Sequence, residues 1–444
     1  MLVNFQALGC RLNEAEVETW ASQFLQRGYQ LTAEAAEADV VVFNSCAVTA
    51  RADRKSRQQI GRLQRSNPQA RLVVTGCHAS LNREQVKRYL GVDLVVDNRD
   101  KDRLVEQTLE LLGAGSGTAV APPTLETAPN ALLERGRHRA FVKVQDGCRY
   151  RCTYCVVTLA RGEERSRGEA EILAEINRLH AQGIQEVALT GVHVGGYGSD
   201  TGSSLYRLLA EILEHTAMPR IRLASVEPWD LPAEFFGLFK DSRLMPHMHL
   251  PLQSGCDSVL RRMARRCKTA EFAALVERAR DAVPRFNITT DLIVGFPGES
   301  EQEWRQTMRY VADIGFGHMH IFPFSPRAGT KAARLDEQVD AQTKKLRGEE
   351  MQSLAVELKR RALREHLGGR AEVLWERRLA GGTGDWLGYT PHYHKIRSAN
   401  AAIEAARILE VGIDAISGDG SMLVDAAARA QVALTDFGFH VAGT

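Results

Sequence analysis

The stretch Asp39–Cys46, DVVVFNSC, decides how the chain is read. Val40–Phe43 are four consecutive apolar residues without the polar alternation of a half-exposed strand. Both faces of such a strand are buried, as in a parallel sheet covered by helices. The run stops at Asn44 and Ser45, which favour turns, and a cysteine follows. Outward from it, Leu2–Cys10 (LVNFQALGC) and Arg71–Cys77 (RLVVTGC) repeat the arrangement, each an apolar run ended by Gly-Cys. Helical patterns at about 14–26, 50–65 and 82–90 lie between and beyond these runs, and VDLVVD (Val92–Asp97) reads as a fourth strand. The alternation predicts a doubly wound α/β domain over residues 1–112. Cys10, Cys46 and Cys77 then fall beyond the carboxyl ends of three parallel strands, along the edge where such sheets bind ligands. Three thiols there read as a shared metal site or as three unrelated buried thiols, and their convergence favours the former.

A chain of 444 residues has room for several domains. From Gly113 to His138 the sequence (GAGSGTAVAPPTLETAPN and onward) loses periodicity and reads as a linker. Over 139–368, strands AFVKVQD, EVALTG, IRLASVEP, HMHLPLQ, FNITTDLIVGF and HMHIFPF alternate with helical patterns, which suits an open, partial β/α barrel with a trailing helix at about 340–366. The remainder, 369–444, has short strands and Gly-rich turns and reads as a small all-β barrel. The fold class is therefore α/β with three parts.

Lys and Arg number 57 against 55 Asp and Glu, so overall charge points to no nucleic-acid partner, and any RNA contact needs a local patch. No apolar run approaches the roughly 20 residues that span a bilayer. The start, MLVNFQALGCRLNEAE, turns acidic where a signal peptide would stay apolar, so a cytoplasmic protein is expected. In that compartment eight cysteines point to metal or redox chemistry rather than disulfides. Cys256 and Cys267 stand alone and read as small buried hydrophobes.

Cys148, Cys152 and Cys155 form a tight C-x3-C-x2-C loop, CRYRCTYC, directly after the first barrel strand. Three thiolates are too few to close a tetrahedral structural zinc site. They suit a [4Fe–4S] cube with one iron left open for a small molecule, placed at the barrel end that carries chemistry.

This loop resembles the radical S-adenosylmethionine (SAM) superfamily motif. More narrowly, LGCRLNEAE, NSCAVT, TGCHA, VQDGCRYRCTYCVV, ARGEERSR, LTGVHVGGYG, LPLQSGCDSVLRRMAR, TDLIVGFPGE and FPFSPRAGT, in this order, resemble the methylthiotransferase family. The resemblance implies two [4Fe–4S] clusters and SAM. Cys148, Cys152 and Cys155 would hold the cluster that cleaves SAM, and Cys10, Cys46 and Cys77 an auxiliary cluster that handles the sulfur. It also implies SAM contacts at Tyr154 (adenine), Thr190 and Gly191 (methionyl amino group), Ser225 (ribose) and Gly295 (backbone against adenine). The terminal barrel stands where the family carries an RNA-binding TRAM domain, and an electron donor of flavodoxin or ferredoxin type is implied.

Family members act on N6-isopentenyladenosine or N6-threonylcarbamoyladenosine in tRNA, or on an aspartate of a ribosomal protein. LTGVHVGGYG (Leu189–Gly198) and SVEPWD (Ser225–Asp230) most resemble the threonylcarbamoyladenosine group, so the expected product is 2-methylthio-N6-threonylcarbamoyladenosine beside the anticodon. A catalytically inactive iron–sulfur RNA-binding protein is the alternative outside enzymes. Keeping both triplets argues against it, because binding alone needs no open iron.

Two basic stretches could contact phosphates: Arg51, Arg54, Lys55, Arg57, Arg62 and Arg65, and then Arg261, Arg262, Arg265, Arg266 and Lys268. From Ala401 onward two arginines stand against six acids, a poor RNA surface, so either HYHKIRS (His392–Ser398) carries the contact or the terminal barrel is degenerate. His247/His249 and His318/His320 share strand faces and read as structural or pocket-lining rather than metal-binding.

Overall fold

The computed structural model describes residues 1–113, 138–379, 384–400 and 402–424. The linker expected at 113–138 and the last twenty residues of the expected terminal barrel lie almost wholly or wholly outside them.

The first five strands, β1 (Leu2–Ala7), β2 (Gln30–Leu31), β3 (Val40–Ser45), β4 (Arg71–Gly76) and β5 (Leu94–Val95), form one sheet of order β2-β1-β3-β4-β5. All its pairings are parallel. β3 is buried throughout. Val40 and Val42 pack on one side with Trp20 and Phe24, and Val41 and Phe43 on the other with Ile60 and Leu63. The helices Arg11–Gln26 and Ala50–Ser66 supply these two covers. The helix expected at about 82–90 is instead two short helices, Cys77–Leu81 and Arg83–Lys87, broken at Asn82, whose side chain bonds back to the His78 carbonyl. The two-residue β2 carries too short a pattern to be seen in sequence.

The central part holds β6 (Arg139–Lys143), a hairpin of β7 (Gln145–Asp146) and β8 (Arg165–Ser166), then β9 (Glu186–Thr190), β10 (Arg220–Leu223), β11 (His247–His249), β12 (Asn287–Val294) and β13 (His318–Pro323). β6, β9 and β10 form one parallel sheet, and β11, β12 and β13 another. Parallel bridges Ile221–Leu244 and Ser225–His249 join them into an open six-stranded arc in chain order. Helices such as Glu169–Ala181, Leu205–His215 and Thr269–Ala282 cover its outer face and share one large apolar core with it. AFVKVQD thus divides between an arc strand and the hairpin that carries the cysteine loop.

A 24-residue helix, Ala341–Arg364, leads to the last sheet. Its strands are β14 (Arg370–Arg378), β15 (Trp386–Tyr389), β16 (Lys395–Ser398), β17 (Ile408–Gly412), β18 (Ala415–Ile416) and β19 (Met422–Leu423), in the order β17-β14-β15-β16-β19-β18. The two outermost strands, β17 and β18, are separated in the chain by two residues, so the sheet must curl back on itself around Trp375, Val373 and Ile396. Buried Arg220 and Arg222 of β10 fasten it to the arc through the carbonyls of Glu372, Tyr389 and Pro391. No helix among the described residues is long and apolar enough to cross a membrane.

Candidate functional site

Cys46 and Cys77 directly follow β3 and β4, and Cys10 comes three residues after the end of β1; the three strands are neighbours in the sheet. Gly-Cys is obligatory at two of these positions. Gly9 has φ +114°, and a Cβ there would sit 2.7 Å from the Cys46 Sγ. Gly76 has φ +97°, and its Cβ would lie 2.2 Å from the Ser45 carbonyl oxygen. Neither a left-handed backbone nor so close an approach tolerates a side chain. The Cys46 amide bonds Ser56, and Asn98 donates weakly to the Cys77 Sγ at 3.9 Å. The three thiols lie within electrostatic reach of one another. Arg161, buried beside Cys10 and Cys77, is fixed by Glu16 and Asp146, each at 2.9 Å, and by Asn13 at 2.8 Å.

The second triplet occupies the loop between β7 and the helix Val157–Arg161. Burial pushes the Cys46 and Cys148 thiols up to about 12 and the Cys155 thiol to about 11. Iron would have to displace those protons on binding. Among the described residues no three His, Cys, Asp or Glu side chains converge on a single ion. Each triplet is therefore an open set of thiols, a donor chemistry that fits a multi-iron cluster and not a mononuclear cage.

A cavity of about 740 Å³ lies beside the Cys10 loop, and no residue of the Cys148–Cys155 loop lines it. Cys10 lines it from the first domain, and Thr190, Gly191 and Ser225 line it from the arc. Tyr154 and Gly295 do not line it. Tyr154 packs with Phe296 and Phe324 in a separate apolar cluster beside Cys152 and Cys155. Gly295 donates its amide to Glu299, which Arg347 holds at 2.8 Å. His247, His249, His318 and His320 all line the cavity, as do Tyr393, His394 and Lys395 of the HYHKIRS segment. Tyr389 and Tyr393 stack with ring centres 5.1 Å apart, with Arg139 and Arg222 over their faces. The segment read as a possible RNA contact thus forms a wall of the cavity.

Sequence reading missed the supports of this site. Gln145 accepts from the amides of Val192 and His193 and donates to the Asp146 and Gly147 carbonyls, tying β7 to the loop after β9. Glu227, raised by burial, leaves one carboxylate oxygen without a hydrogen-bond partner beside the Cys148 loop, an acceptor suited to a bound hydroxyl or ammonium. His193 is fully buried between Glu164 and Asp230 at 2.7 Å each. Only the polar residues inside LTGVH and SVEPWD could have signalled these two.

The basic stretches fare differently. Arg51, Arg54, Lys55, Arg57, Arg62 and Arg65 are all exposed on one helix. The second stretch is divided: Arg262 pairs with Glu303 at 2.8 Å, Arg265 lies over Trp229 and Arg266 over Tyr150. It offers the site support rather than a phosphate track. Cys256 and Cys267 are buried.

Two family models match the chain: Uncharacterized protein family UPF0004 over residues 2–97 and the Radical SAM superfamily over 142–311. The threonylcarbamoyladenosine tRNA methylthiotransferase MtaB of Chlamydia pneumoniae is 36% identical over 393 residues, covering 88% of this chain and 89% of that protein. The protein of the same name from Bacillus subtilis (strain 168) is 32% identical over 422 residues, covering 93% of each. The tRNA-2-methylthio-N(6)-dimethylallyladenosine synthase of Bacillus pumilus (strain SAFR-032) is 33% identical over 83% of this chain and 75% of its own. Among solved structures, the radical S-adenosylmethionine methyltransferase TsrM from Kitasatospora setae superposes with a TM-score of 0.56 at 16% identity, over 75% of this chain and 77% of that one, a likeness of fold.

Proposed function

Because this chain belongs to the MtaB group of radical SAM tRNA methylthiotransferases, we propose that it inserts a methylthio group at C2 of N6-threonylcarbamoyladenosine in tRNA. The enzyme uses SAM and two [4Fe–4S] clusters, which when bound supply one-electron cleavage of SAM, removal of hydrogen from an unreactive carbon, and the sulfur and methyl that replace it. In this reading Cys148, Cys152 and Cys155 hold the cluster that meets SAM, and Cys10, Cys46 and Cys77 the auxiliary one. Thr190, Gly191 and Ser225 take SAM from the cavity side, Tyr154 and Gly295, which do not line that cavity, bear on its adenine, and Glu227, 3.8 Å from His193, offers a carboxylate oxygen without a hydrogen-bond partner. The observation that carries the reading is the single cavity onto which Cys10 and the Thr190–Gly191–Ser225 wall both open.

The chain's own work is positioning and exclusion of water. Tyr389 and Tyr393, stacked on each other with Arg139 and Arg222 over their faces, give one side of the cavity an aromatic and cationic lining. The curled sheet contributes Tyr389, His394 and Lys395 to the cavity wall, and the exposed arginines of Ala50–Ser66 are the candidate phosphate contacts. Residues 1–112, 139–368 and 369–444 divide this labour as auxiliary-cluster domain, SAM-cleaving barrel and tRNA-facing barrel.

Mass spectrometry of nucleosides from tRNA treated with the anaerobically reconstituted enzyme, SAM and a reductant tests this. The expected product is 2-methylthio-N6-threonylcarbamoyladenosine. Cys10→Ala should still cleave SAM to 5′-deoxyadenosine and form no methylthio nucleoside. A variant that still methylthiolated tRNA would overturn the assignment of Cys10 to the sulfur-handling triplet.

A further inference from the structure

The charges around the cavity are unevenly balanced. Its two acids are engaged: Glu14 with Arg11 at 3.2 Å and Asp291 with His249 at 3.3 Å. Its guanidinium groups are engaged as well. Arg222 is held by Glu186 at 2.9 Å, and Arg139 by Glu186 and Glu376 at 3.4 and 3.1 Å. Lys359, from the helix Ala341–Arg364, and Lys395, at the start of β16, differ. Both line the cavity, and neither has an ion-pair partner among the described residues. The nearest acid to Lys359, Asp419, is already paired with Arg397 at 3.4 Å.

The negative charge nearby is Asp291, against His249 and felt by His318 and His320, and Asp419, which Lys359 feels. His318 and His394 line the same corner, and both feel Lys359 as a neighbouring cation. Desolvation and Lys395 together depress the Lys359 ammonium. Lys359 is half-buried and Lys395 exposed, so the pair stands open at the cavity, where an anionic ligand would relieve their mutual repulsion. Tyr389 and Tyr393, stacked on each other with the Arg139 guanidinium against both rings, line the same cavity. The site is therefore shaped for an aromatic ring that carries an anionic arm.

We propose that Lys359 and Lys395 read a carboxylate on the N6 substituent of the target nucleoside, the free acid of its threonyl group. This rests on the threonylcarbamoyladenosine reading above and deepens it. An isopentenyl arm is apolar and offers neither ammonium an anion, so the same pair favours the acid over that substrate.

The test compares two anticodon stem-loop RNAs, one bearing N6-threonylcarbamoyladenosine and one its methyl ester, with the full reconstituted enzyme. A charge-assisted contact predicts that kcat/KM favours the acid by about tenfold or more. Lys359→Met and Lys395→Met should each shrink that ratio, and the double variant should bring it near one, while Lys359→Arg keeps most of it. Because the readout is a ratio within each protein, a general loss of activity cancels. If the wild-type enzyme methylthiolates acid and ester alike, the proposal fails and the substrate reading stands. If the Met variants slow both RNAs equally, the lysines hold backbone phosphate and the proposal again fails. If SAM is cleaved but neither RNA nor tRNA bearing N6-threonylcarbamoyladenosine is methylthiolated, the substrate reading itself fails.

Discussion

His193 ties the loop after β9 to the cysteine loop, and its charge is open to a quantitative test. Its imidazole is fully buried, with Nδ1 2.7 Å from Glu164 and Nε2 2.7 Å from Asp230. Tyr150, beside Cys148, meets the ring edge-on at 4.8 Å and donates to Asp230 at 3.1 Å, and Arg149 reaches both acids. Burial alone would favour the neutral ring, but hydrogen bonds to Asp230 and Glu164 outweigh it and raise the pKa from 6.5 to about 9. That displacement corresponds to about 3 kcal/mol of stability. The folded pKa lies above the unfolded one, so this contribution is fully present below about pH 6.5 and is lost as pH rises through about 9. The perturbation is His193→Gln, which keeps polar atoms and removes the charge. Urea unfolding of the anaerobic enzyme, followed at several pH values from about 6 to 10, gives the difference between wild type and variant. That difference should be greatest at the acid end and shrink by about 3 kcal/mol at the alkaline end. Background titrations common to both proteins cancel. Wild type and variant losing stability in parallel across the window would refute the buried imidazolium.

Two further substitutions probe the supports of the first triplet. Arg161→Met takes from the buried carboxylates of Glu16 and Asp146 one cationic partner, leaving them Lys101 at 2.6 Å and Lys143 at 3.3 Å, and should cost about 1–3 kcal/mol in urea unfolding; combined with Glu16→Gln it should cost less than the sum of the singles, and a double variant as unstable as that sum would remove Arg161–Glu16 coupling as the cause. Gly76→Ala must force a methyl against the Ser45 carbonyl and a left-handed backbone, so it should destabilise the protein by about 1 kcal/mol or more and lower iron content at the auxiliary triplet while leaving SAM cleavage measurable; unchanged stability and iron content would show that the loop relaxes freely.

Much of this architecture was legible because its signals are local and repeated. β3 betrays a two-sided burial by four apolar residues in succession, and β1 and β4 repeat it, so the convergence of Cys10, Cys46 and Cys77 follows from sheet topology alone. The C-x3-C-x2-C spacing is likewise contiguous. What escaped depends on distant partners. Arg262 and Arg265 read as a basic run, yet Glu303 and Trp229, far along the chain, turn them inward. Gln145 and Glu227 are single polar residues in apolar surroundings, and nothing nearby in sequence tells an organiser of loops from a surface residue. Lys359 sits on a helix rich in charge, and only the curled sheet packed beside it sets it against Lys395 with no ion-pair partner among the described residues.

The two cysteine triplets belong to different domains, so their separation must be set by docking rather than by either loop. The helix Val157–Arg161 makes that connection. It starts two residues after Cys155, and five residues are too few to be helical without tertiary contacts. Those contacts all come from the first domain or the arc: Ala160 packs on Cys77 and Ala47, its carbonyl accepts from Asn98 at 2.8 Å, and Arg161 reaches Asn13, Glu16 and Asp146. Asn98 also touches the Cys77 Sγ, so one side chain bears on the backbone leaving one triplet and on a thiol of the other. A buried ion network is a poor source of net stability, but its directional partners admit few alternative arrangements. For chemistry in which sulfur must meet a carbon activated at a second site, fixing that one geometry matters more than added stability.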